Sequence, residues 1–370
     1  MSAGVVIVGA GQAGFQCAMS LRTEGFQGAV TLIGEEPWLP YQRPPLSKAF
    51  MAGKQDIDAT NLRPESFYRD QQIGLLMGDR VTAIDRVKRA VTLASGNEIP
   101  YAALVLATGA RNRRLPIPGA CYLRTRDEAV EIAGRLESAR NLLIIGGGFI
   151  GLELAATAAS LGKQVLVVEA QDRLMPRAVA PIMSQYFLDL HTAHGIRFAL
   201  GCTADQAVGP PADLVIAGIG VVPNTELAEA AGLAAANGIL VDEYLRTTDA
   251  NIYAIGDCAQ HPNRFAGARV RLESVQNAVD QARSVAASII GRARPYDAVP
   301  WFWTDQFHVK LQMAGLSQGY DSVVTDGDPA THKFSVRYFR NGRMIAIDSV
   351  NRPADHIAGR KQLAAAAATA

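Results

Sequence analysis

The chain lacks any close pair of cysteines. Its four, Cys17, Cys121, Cys202 and Cys258, are scattered over 370 residues. No C-x-x-C spacing occurs, so a disulfide framework, a zinc site and a redox-active dithiol all lose support. Free cysteines this far apart read as small buried or part-buried side chains. An excess of charge is missing too. Lys and Arg number 36 against 35 Asp and Glu, a net charge of +1, which argues against a nucleic-acid binder driven by bulk electrostatics. No apolar run reaches the ~20 residues of a membrane span. A secretory leader finds no room, because the first apolar strand starts at about Gly4. A cytoplasmic protein without a membrane partner is the expectation. What is plentiful is apolar residue, 49% of the chain. That fills more than one core, and two or three domains are expected at this length.

Glycine is the informative residue. Val5-Val6-Ile7-Val8 runs into Gly9-Ala10-Gly11-Gln12-Ala13-Gly14, and Leu142-Leu143-Ile144-Ile145 runs into Gly146-Gly147-Gly148-Phe149-Ile150-Gly151. Each is an apolar strand, then G-x-G-x-x-G, then a helical stretch. Each is followed by a second strand ending in an acid, Glu35 and Glu169. The first glycine makes the strand-to-helix turn, the second lets backbone approach a pyrophosphate, and the third lets helix pack on strand. The helix N-terminus offers free N–H groups and partial positive charge to the phosphates. The acid accepts hydrogen bonds from a ribose diol. Gly9 to Glu35 is 26 positions and Gly146 to Glu169 is 23, near the ~20 expected. One such motif is a weak signal, but two complete ones are strong. Two dinucleotides held together point to electron transfer between them.

The rest of the chain arranges itself around these units. A Pro-rich loop, Pro40 to Lys48, stops helix or sheet from passing through and suits holding one side chain in place. The strand Leu104-Val105-Leu106-Ala107 ends at Thr108-Gly109. A second Pro-rich stretch, Leu115 to Gly119, reads as a linker. Leu214 to Gly220 repeats the strand-then-glycine ending. Ile252-Tyr253-Ala254-Ile255 ends at Gly256-Asp257, where an aspartate suits the polyol chain of FAD or else a plain surface turn. A long helix is expected over about Ser274 to Ile290. From Trp301 the texture becomes β-rich, and Asn341-Gly342 between two short runs is a hairpin signal. Glu169 favours NAD over NADP, since a carboxylate repels a 2′-phosphate. Arg173 and Arg177 nearby either contact the pyrophosphate or face solvent.

Four stretches make the chain resemble FAD-dependent pyridine-nucleotide oxidoreductases of the oxygenase-coupled ferredoxin reductase type. They are Leu39 to Lys48, Gly146 to Glu153, Leu272-Glu273-Ser274-Val275-Gln276-Asn277-Ala278 and Trp301-Phe302-Trp303-Thr304-Asp305-Gln306. The resemblance covers almost the whole chain. It implies an α/β fold with two Rossmann-like dinucleotide-binding domains and a small α+β C-terminal domain. The FAD domain is split, at 1–110 and 237–297, by an inserted NAD domain at 111–236, and the C-terminal domain spans 298–370. For FAD it implies Gly9, Gly11, Ala13 and Gly14 at the pyrophosphate and Glu35 at the ribose. Arg43 and Lys48 reach in from the Pro-rich loop, with Lys48 near flavin N5. Val81, Ala107, Thr108, Gly109 and Arg124 line the cofactor, Asp257 binds the ribitol, and Val275 and Trp303 border the ring system. For NADH it implies Gly146, Gly148, Phe149, Ile150, Gly151, Glu169, Gly218 and Gly220. Lys48 and Glu153 form the implied catalytic pair, in which an ammonium stabilises negative charge on the reduced flavin and a carboxylate orients it.

The implied reaction is hydride transfer from NADH to FAD, then single electrons to a [2Fe–2S] ferredoxin that serves a bacterial ring-hydroxylating dioxygenase or cytochrome P450. Docking of the ferredoxin would be transient and electrostatic, and the protein itself a monomer or weak homodimer. The missing dithiol separates the chain from glutathione, lipoamide and thioredoxin reductases. Tyrosine at position 41, with no cysteine nearby, counts against a cysteine-based NADH oxidase or peroxidase. A rubredoxin reductase and a slow-turnover NADH-sensing flavoprotein remain as alternatives. One departure stands out: only Gly201 to Ala212 bridges a stretch where the family has a longer β-meander. Other features are weaker. His191 and His194, three apart on a helix, suit either a metal or, as the better reading, a solvated face. The arginines at 111, 113, 114, 292 and 294 suit either ferredoxin docking or scattered solvated charge, the latter preferred.

Overall fold

The computed structural model describes residues 4–206, 209 and 211–368. Gly4-Val5-Val6-Ile7-Val8 forms β1 and is buried along its whole length, as expected of a strand in a parallel sheet covered on both faces. β1 pairs in parallel with β2 (Val30–Gly34) on one side and β6 (Glu98–Leu106) on the other. β3 (Ile73–Met77), entered from the short helix α2 (Glu65–Asp70), extends the sheet past β2. β15 (Ile252–Ala254) returns from far along the chain to pair with the end of β6. The antiparallel strands β4 (Val81–Asp85) and β5 (Ala90–Leu93) complete the sheet at the start of β6. Helices α1 (Gln12–Thr23) and α7 (Val275–Ile289) pack on each other over it. Ser274 caps α7, its hydroxyl accepting from the Asn277 N–H at 3.0 Å.

The second unit repeats the plan. β8 (Asn141–Ile145), β9 (Gln164–Glu169), β10 (Arg197–Leu200) and β11 (Leu214–Ala217) form a parallel sheet in the order β10-β9-β8-β11. α3 (Arg126–Ser138), α4 (Phe149–Ser160) and α5 (Pro181–Ala193) pack around it. Thr125 and Glu128 form a capping box at α3, fixing where that helix begins. Thr203 and Gln206 form a turn after β10. Residues 207, 208 and 210 of the short bridge lie outside the described residues, and β11 still pairs in register with β8.

Smaller pieces join the two units. β7 (Ala110–Asn112) pairs antiparallel with β12 (Val221–Pro223), which leads to α6 (Glu226–Ala230). β13 (Ala235–Ala236), β14 (Gly238–Leu240), β16 (Ala259–Asn263) and β17 (Ala268–Val270) form a second ribbon. The C-terminal part is an antiparallel sheet of β18 (Trp301–Gln306), β19 (Val309–Gly315), β20 (Ser322–Asp328), β21 (Lys333–Arg340) and β22 (Arg343–Val350), in the order β18-β19-β22-β21-β20. Asn341 and Gly342 turn β21 into β22 with φ of 52° and 74°, the left-handed pair a two-residue hairpin needs. α8 (Pro353–Ala368) packs on β19 and β22. Leu311, Val336 and Tyr338 of the same sheet share a core with Leu152, Met183 and Phe187 of the second unit.

Candidate active site

Both glycine motifs divide their labour in the same way. A Cβ on Gly9, at φ +112°, would lie 2.1 Å from the Ala107 carbonyl oxygen, and one on Gly14 would lie 1.9 Å from that of Gly9. A Cβ on Gly146, at φ +108°, would lie 2.5 Å from the Gly218 oxygen, and one on Gly151 would lie 2.2 Å from that of Gly146. The outer glycines are therefore demanded by backbone packing. The middle ones are not. Nothing lies within 4 Å of a Cβ on Gly11, and only the Gly218 oxygen, at 4.0 Å, approaches one on Gly148. Each middle glycine opens onto a cleft at a helix N-terminus, where a pyrophosphate finds free N–H groups.

The cleft is continuous between the two motifs and holds about 3140 Å³, against roughly 300–1,000 Å³ for an ordinary ligand pocket. Every site residue expected from the sequence lines it except Gly14 and Gly151, which pack behind the motifs. The acids at the strand ends face it differently. Glu169 is engaged by backbone, accepting from Gly147 N–H at 2.7 Å and Gln171 N–H at 2.9 Å. Glu35 is exposed, with Arg80 at 3.8 Å. The Gly256-Asp257 turn is built in. Gln281 accepts from the Gly256 N–H at 2.7 Å, and Asp257 pairs with Arg124 at 2.7 Å. The Arg124 Nε is buried without a partner, an orphaned donor on a side chain that lines the cleft.

Where the two halves of the cleft meet stands an ion pair. Lys48 Nζ, from the Pro-rich loop, lies 2.6 Å from Glu153 Oε2, on α4. The loop is held by its own chemistry. Pro44–Ser47 forms a 3₁₀ turn, the Tyr41 hydroxyl donates to Glu36 at 2.6 Å, and Arg43 pairs with Glu36 at 3.0 Å. Burial, with the Glu36 carboxylate adding to it, pushes the Tyr41 phenol well above its usual range. Arg43 also donates to the Arg124 carbonyl. Glu153 is only 3% exposed. A carboxylate buried so deeply is destabilising unless donors surround it, and it accepts from Ser47 Oγ at 2.5 Å and Thr304 Oγ1 at 2.6 Å besides Lys48.

Comparison with known proteins agrees with this arrangement. The profile of the pyridine nucleotide-disulphide oxidoreductase family matches residues 3–282, and that of the reductase C-terminal domain matches residues 301–370. The chain belongs to the pyridine nucleotide-disulphide oxidoreductases. It is 49% identical to rhodocoxin reductase of Rhodococcus erythropolis, over 97% of this chain and 89% of that protein. Among solved structures, the ferredoxin reductase for the CYP199A2 system of Rhodopseudomonas palustris superposes with a TM-score of 0.93 at 48% identity, covering 97% of this chain and 93% of that one. The reductase in the covalent putidaredoxin reductase–putidaredoxin complex also gives 0.93, at 40% identity, covering 98% and 93%. Members of this family use FAD and NAD(H), and the two open middle glycines fit one dinucleotide each.

Within this oxidoreductase, several side chains carry more than their local sequence signals. Asn224 clasps the two units, donating to the Thr108 carbonyl at 2.8 Å while its own carbonyl accepts from Thr108 Oγ1 at 2.7 Å. Glu36, beside the expected Glu35, is the acid that fixes the Pro-rich loop. Phe302 packs on Phe149 with ring centres 4.6 Å apart, and Thr304 reaches Glu153. No local pattern marks these contacts, because the partners are far apart in the chain. The expected solvated face at His191 is corrected. Its ring is 0% exposed, wedged between α5 and the C-terminal sheet with Phe307 at 5.1 Å, because the sheet covers that side of the helix. No group of three or more metal-ligating side chains occurs among the described residues. Arg111 pairs with Glu226 at 2.6 Å and Arg292 with Glu24 at 3.0 Å, as scattered surface charge does. Cys17, Cys121 and Cys258 are buried and Cys202 is half-buried, all four free. No helix of the described residues is long and apolar enough to cross a membrane.

Proposed function

We propose that the protein is an NADH-dependent ferredoxin reductase that delivers single electrons to a [2Fe–2S] ferredoxin of an oxygenase system. The observation that carries this reading is the Lys48–Glu153 pair, 2.6 Å apart at the junction of two dinucleotide cradles in one cleft. FAD held along the first cradle would supply hydride acceptance and one-electron release.

In this reading Gly9, Gly11, Ala13 and Gly14 hold the FAD pyrophosphate, and Glu35 holds the ribose. Asp257, steadied by Arg124, takes the ribitol hydroxyls. Arg43, Val81, Ala107, Thr108, Gly109, Val275 and Trp303 wall the remaining length. Gly146, Gly148, Phe149, Ile150, Gly151, Gly218 and Gly220 receive NADH, with Glu169 selecting it against a 2′-phosphate. Lys48 presents its ammonium to charge developing on the ring system, and Glu153 fixes where that ammonium points. The domain division follows, with 1–110 and 237–297 for FAD, 111–236 for NADH and 298–370 as the C-terminal domain. One cysteine, Cys202, lines the cleft and no second stands beside it, so electrons leave to a protein acceptor rather than through a dithiol. Four free cysteines suit the reducing cytoplasm. The protein acts as a monomer or weak homodimer. Mixing the flavin-loaded protein first with NADH and then with a [2Fe–2S] ferredoxin tests the reading. Rapid bleaching followed by ferredoxin reduction is expected, and an unreduced ferredoxin would overturn the assignment of acceptor.

A further inference from the structure

Glu153 does not hold Lys48 alone. Behind it a line of buried side chains runs out of the cleft. Thr304 Oγ1 lies 2.6 Å from Glu153 Oε1, Gln306 Nε2 lies 3.2 Å from Thr304 Oγ1, and His191 Nε2 lies 2.7 Å from Gln306 Oε1. Thr304 and His191 are 0% exposed and Gln306 is 1% exposed. Thr304 and Gln306 are two apart on β18, so they share a face with Phe302, and Phe302 packs on Phe149 four residues before Glu153 on α4. The chain of contacts thus crosses from the Pro-rich loop to α4, to the C-terminal sheet, and back to α5.

Its polarity follows from what each group can do. A carboxylate paired with Lys48 only accepts, so the Thr304 hydroxyl donates to it. Thr304 then accepts from the Gln306 amide N–H, which leaves the Gln306 oxygen facing His191. That oxygen requires a proton on His191 Nε2, and hence a bare Nδ1. The Nδ1 has no partner, and a buried lone pair left unpaired is cheaper than a buried N–H left unpaired. Burial also pulls the ring down to about 4, away from the doubly protonated form.

We propose that Thr304, Gln306 and His191 form a unidirectional hydrogen-bond relay by which the C-terminal domain positions Glu153, and through it Lys48, for hydride transfer. The three are positioning residues. None of the three lines the cleft, and the relay rests on the reading of Lys48 and Glu153 given above. It explains why a β-sheet domain with no dinucleotide cradle is packed against the nicotinamide side of the cleft: without β18, one oxygen of Glu153 would lose its donor and the carboxylate its fixed rotation.

Two measurements on the FAD-loaded protein test it. The first is independent of turnover. In protein labelled with ¹⁵N-histidine, His191 should appear as the Nε2–H tautomer throughout pH 6–8, its proton protected from exchange, and Gln306→Leu should abolish that protection. A His191 found protonated on Nδ1 alone would mean the relay runs the other way and would overturn the proposal. The second is stopped-flow reduction by NADH. Thr304→Val should slow the first-order reduction step about tenfold while leaving the NADH dissociation constant within about twofold, and Thr304→Ser should restore the rate. In a Glu153→Gln background Thr304→Val should add little, because both act on one carboxylate. A full additive loss, or wild-type reduction kinetics in Thr304→Val, would overturn the relay. If Thr304→Val does not fold, Gln306→Leu carries the same kinetic test one link further out. Lys48→Ala measured in parallel separates the two ideas. If it slows reduction and Thr304→Val does not, the relay fails and the ion pair stands. If neither slows reduction, the catalytic reading of the pair fails with it. If only Thr304→Val does, positioning of Lys48 through Glu153 is overturned.

Discussion

At the scale of single residues, the glycines separate folding from binding. Gly11 has open space where a Cβ would go, and Gly14 does not. Gly11→Ala should therefore fold with an unchanged melting temperature in the apo form yet bind FAD about tenfold or more weakly, because the added methyl occupies the approach of the pyrophosphate. Gly14→Ala should instead destabilise the first unit, its Cβ colliding with the Gly9 carbonyl. Titration of apoprotein with FAD, alongside thermal melts, distinguishes the two, and equal FAD affinity in Gly11→Ala would remove the cradle from the account. Lys48→Ala should slow flavin reduction about ten- to a hundredfold with a smaller effect on NADH binding, read by stopped flow. The glycine turns and the strand-end acids were legible in the sequence because each strand, turn and helix is a local unit. Thr304 and His191 were not, since the groups they serve are brought near by packing between distant segments. His191 in particular reads as one of two polar residues on a helix until the sheet that covers it is known.

At the scale of elements, α7 joins fold to site. Its apolar face packs on α1, and its first residue, Val275, lines the cleft. Ser274→Ala removes the cap and should cost about 1 kcal/mol, measured by denaturant unfolding. Because the uncapped turn lines the cleft beside Val275, which the proposed reading gives to FAD, FAD affinity should fall with it. The helix was visible from sequence nearly to its ends, expected over 274–290 and found at Val275–Ile289, because a Ser cap and an apolar stripe are both sequence-local signals. β18 was harder. Its aromatic run was recognisable, but the alternation that sends Phe302, Thr304 and Gln306 toward α4 and α5 acquires meaning only once the sheet is docked on the second unit.

At the scale of the whole molecule, buried titratable groups set how stability follows pH. Burial lowers His191, His261 and His356 from about 6.5 to about 4. Between those values the unfolded chain binds protons that the folded chain refuses, so stability falls as pH drops from about 6.5 to about 4, each histidine contributing on the order of 1–3 kcal/mol. Asp348 works in the opposite sense. Burial raises it from 3.8 to about 7, only partly offset by the Tyr338 hydroxyl. It keeps its proton when folded, and stability falls as pH rises through about 4 to 7. Three histidines outweigh one aspartate, so the melting temperature should drop on going from pH 7 to pH 5. Asp348→Asn should raise it at pH 8 and change it little at pH 4, and the reverse pattern in a calorimetric pH series would contradict the assignment.

In the proposed reading electrons run from the second cradle, past Lys48 and Glu153, to the first and then outward. The most direct test is double-mixing stopped flow: flavin-loaded protein with NADH, then with oxidised [2Fe–2S] ferredoxin, at several salt concentrations. The account predicts fast bleaching of the flavin band by NADH. Ferredoxin should then be reduced one electron per encounter, at a rate that falls as salt rises. A flavin band that NADH leaves unbleached would contradict it.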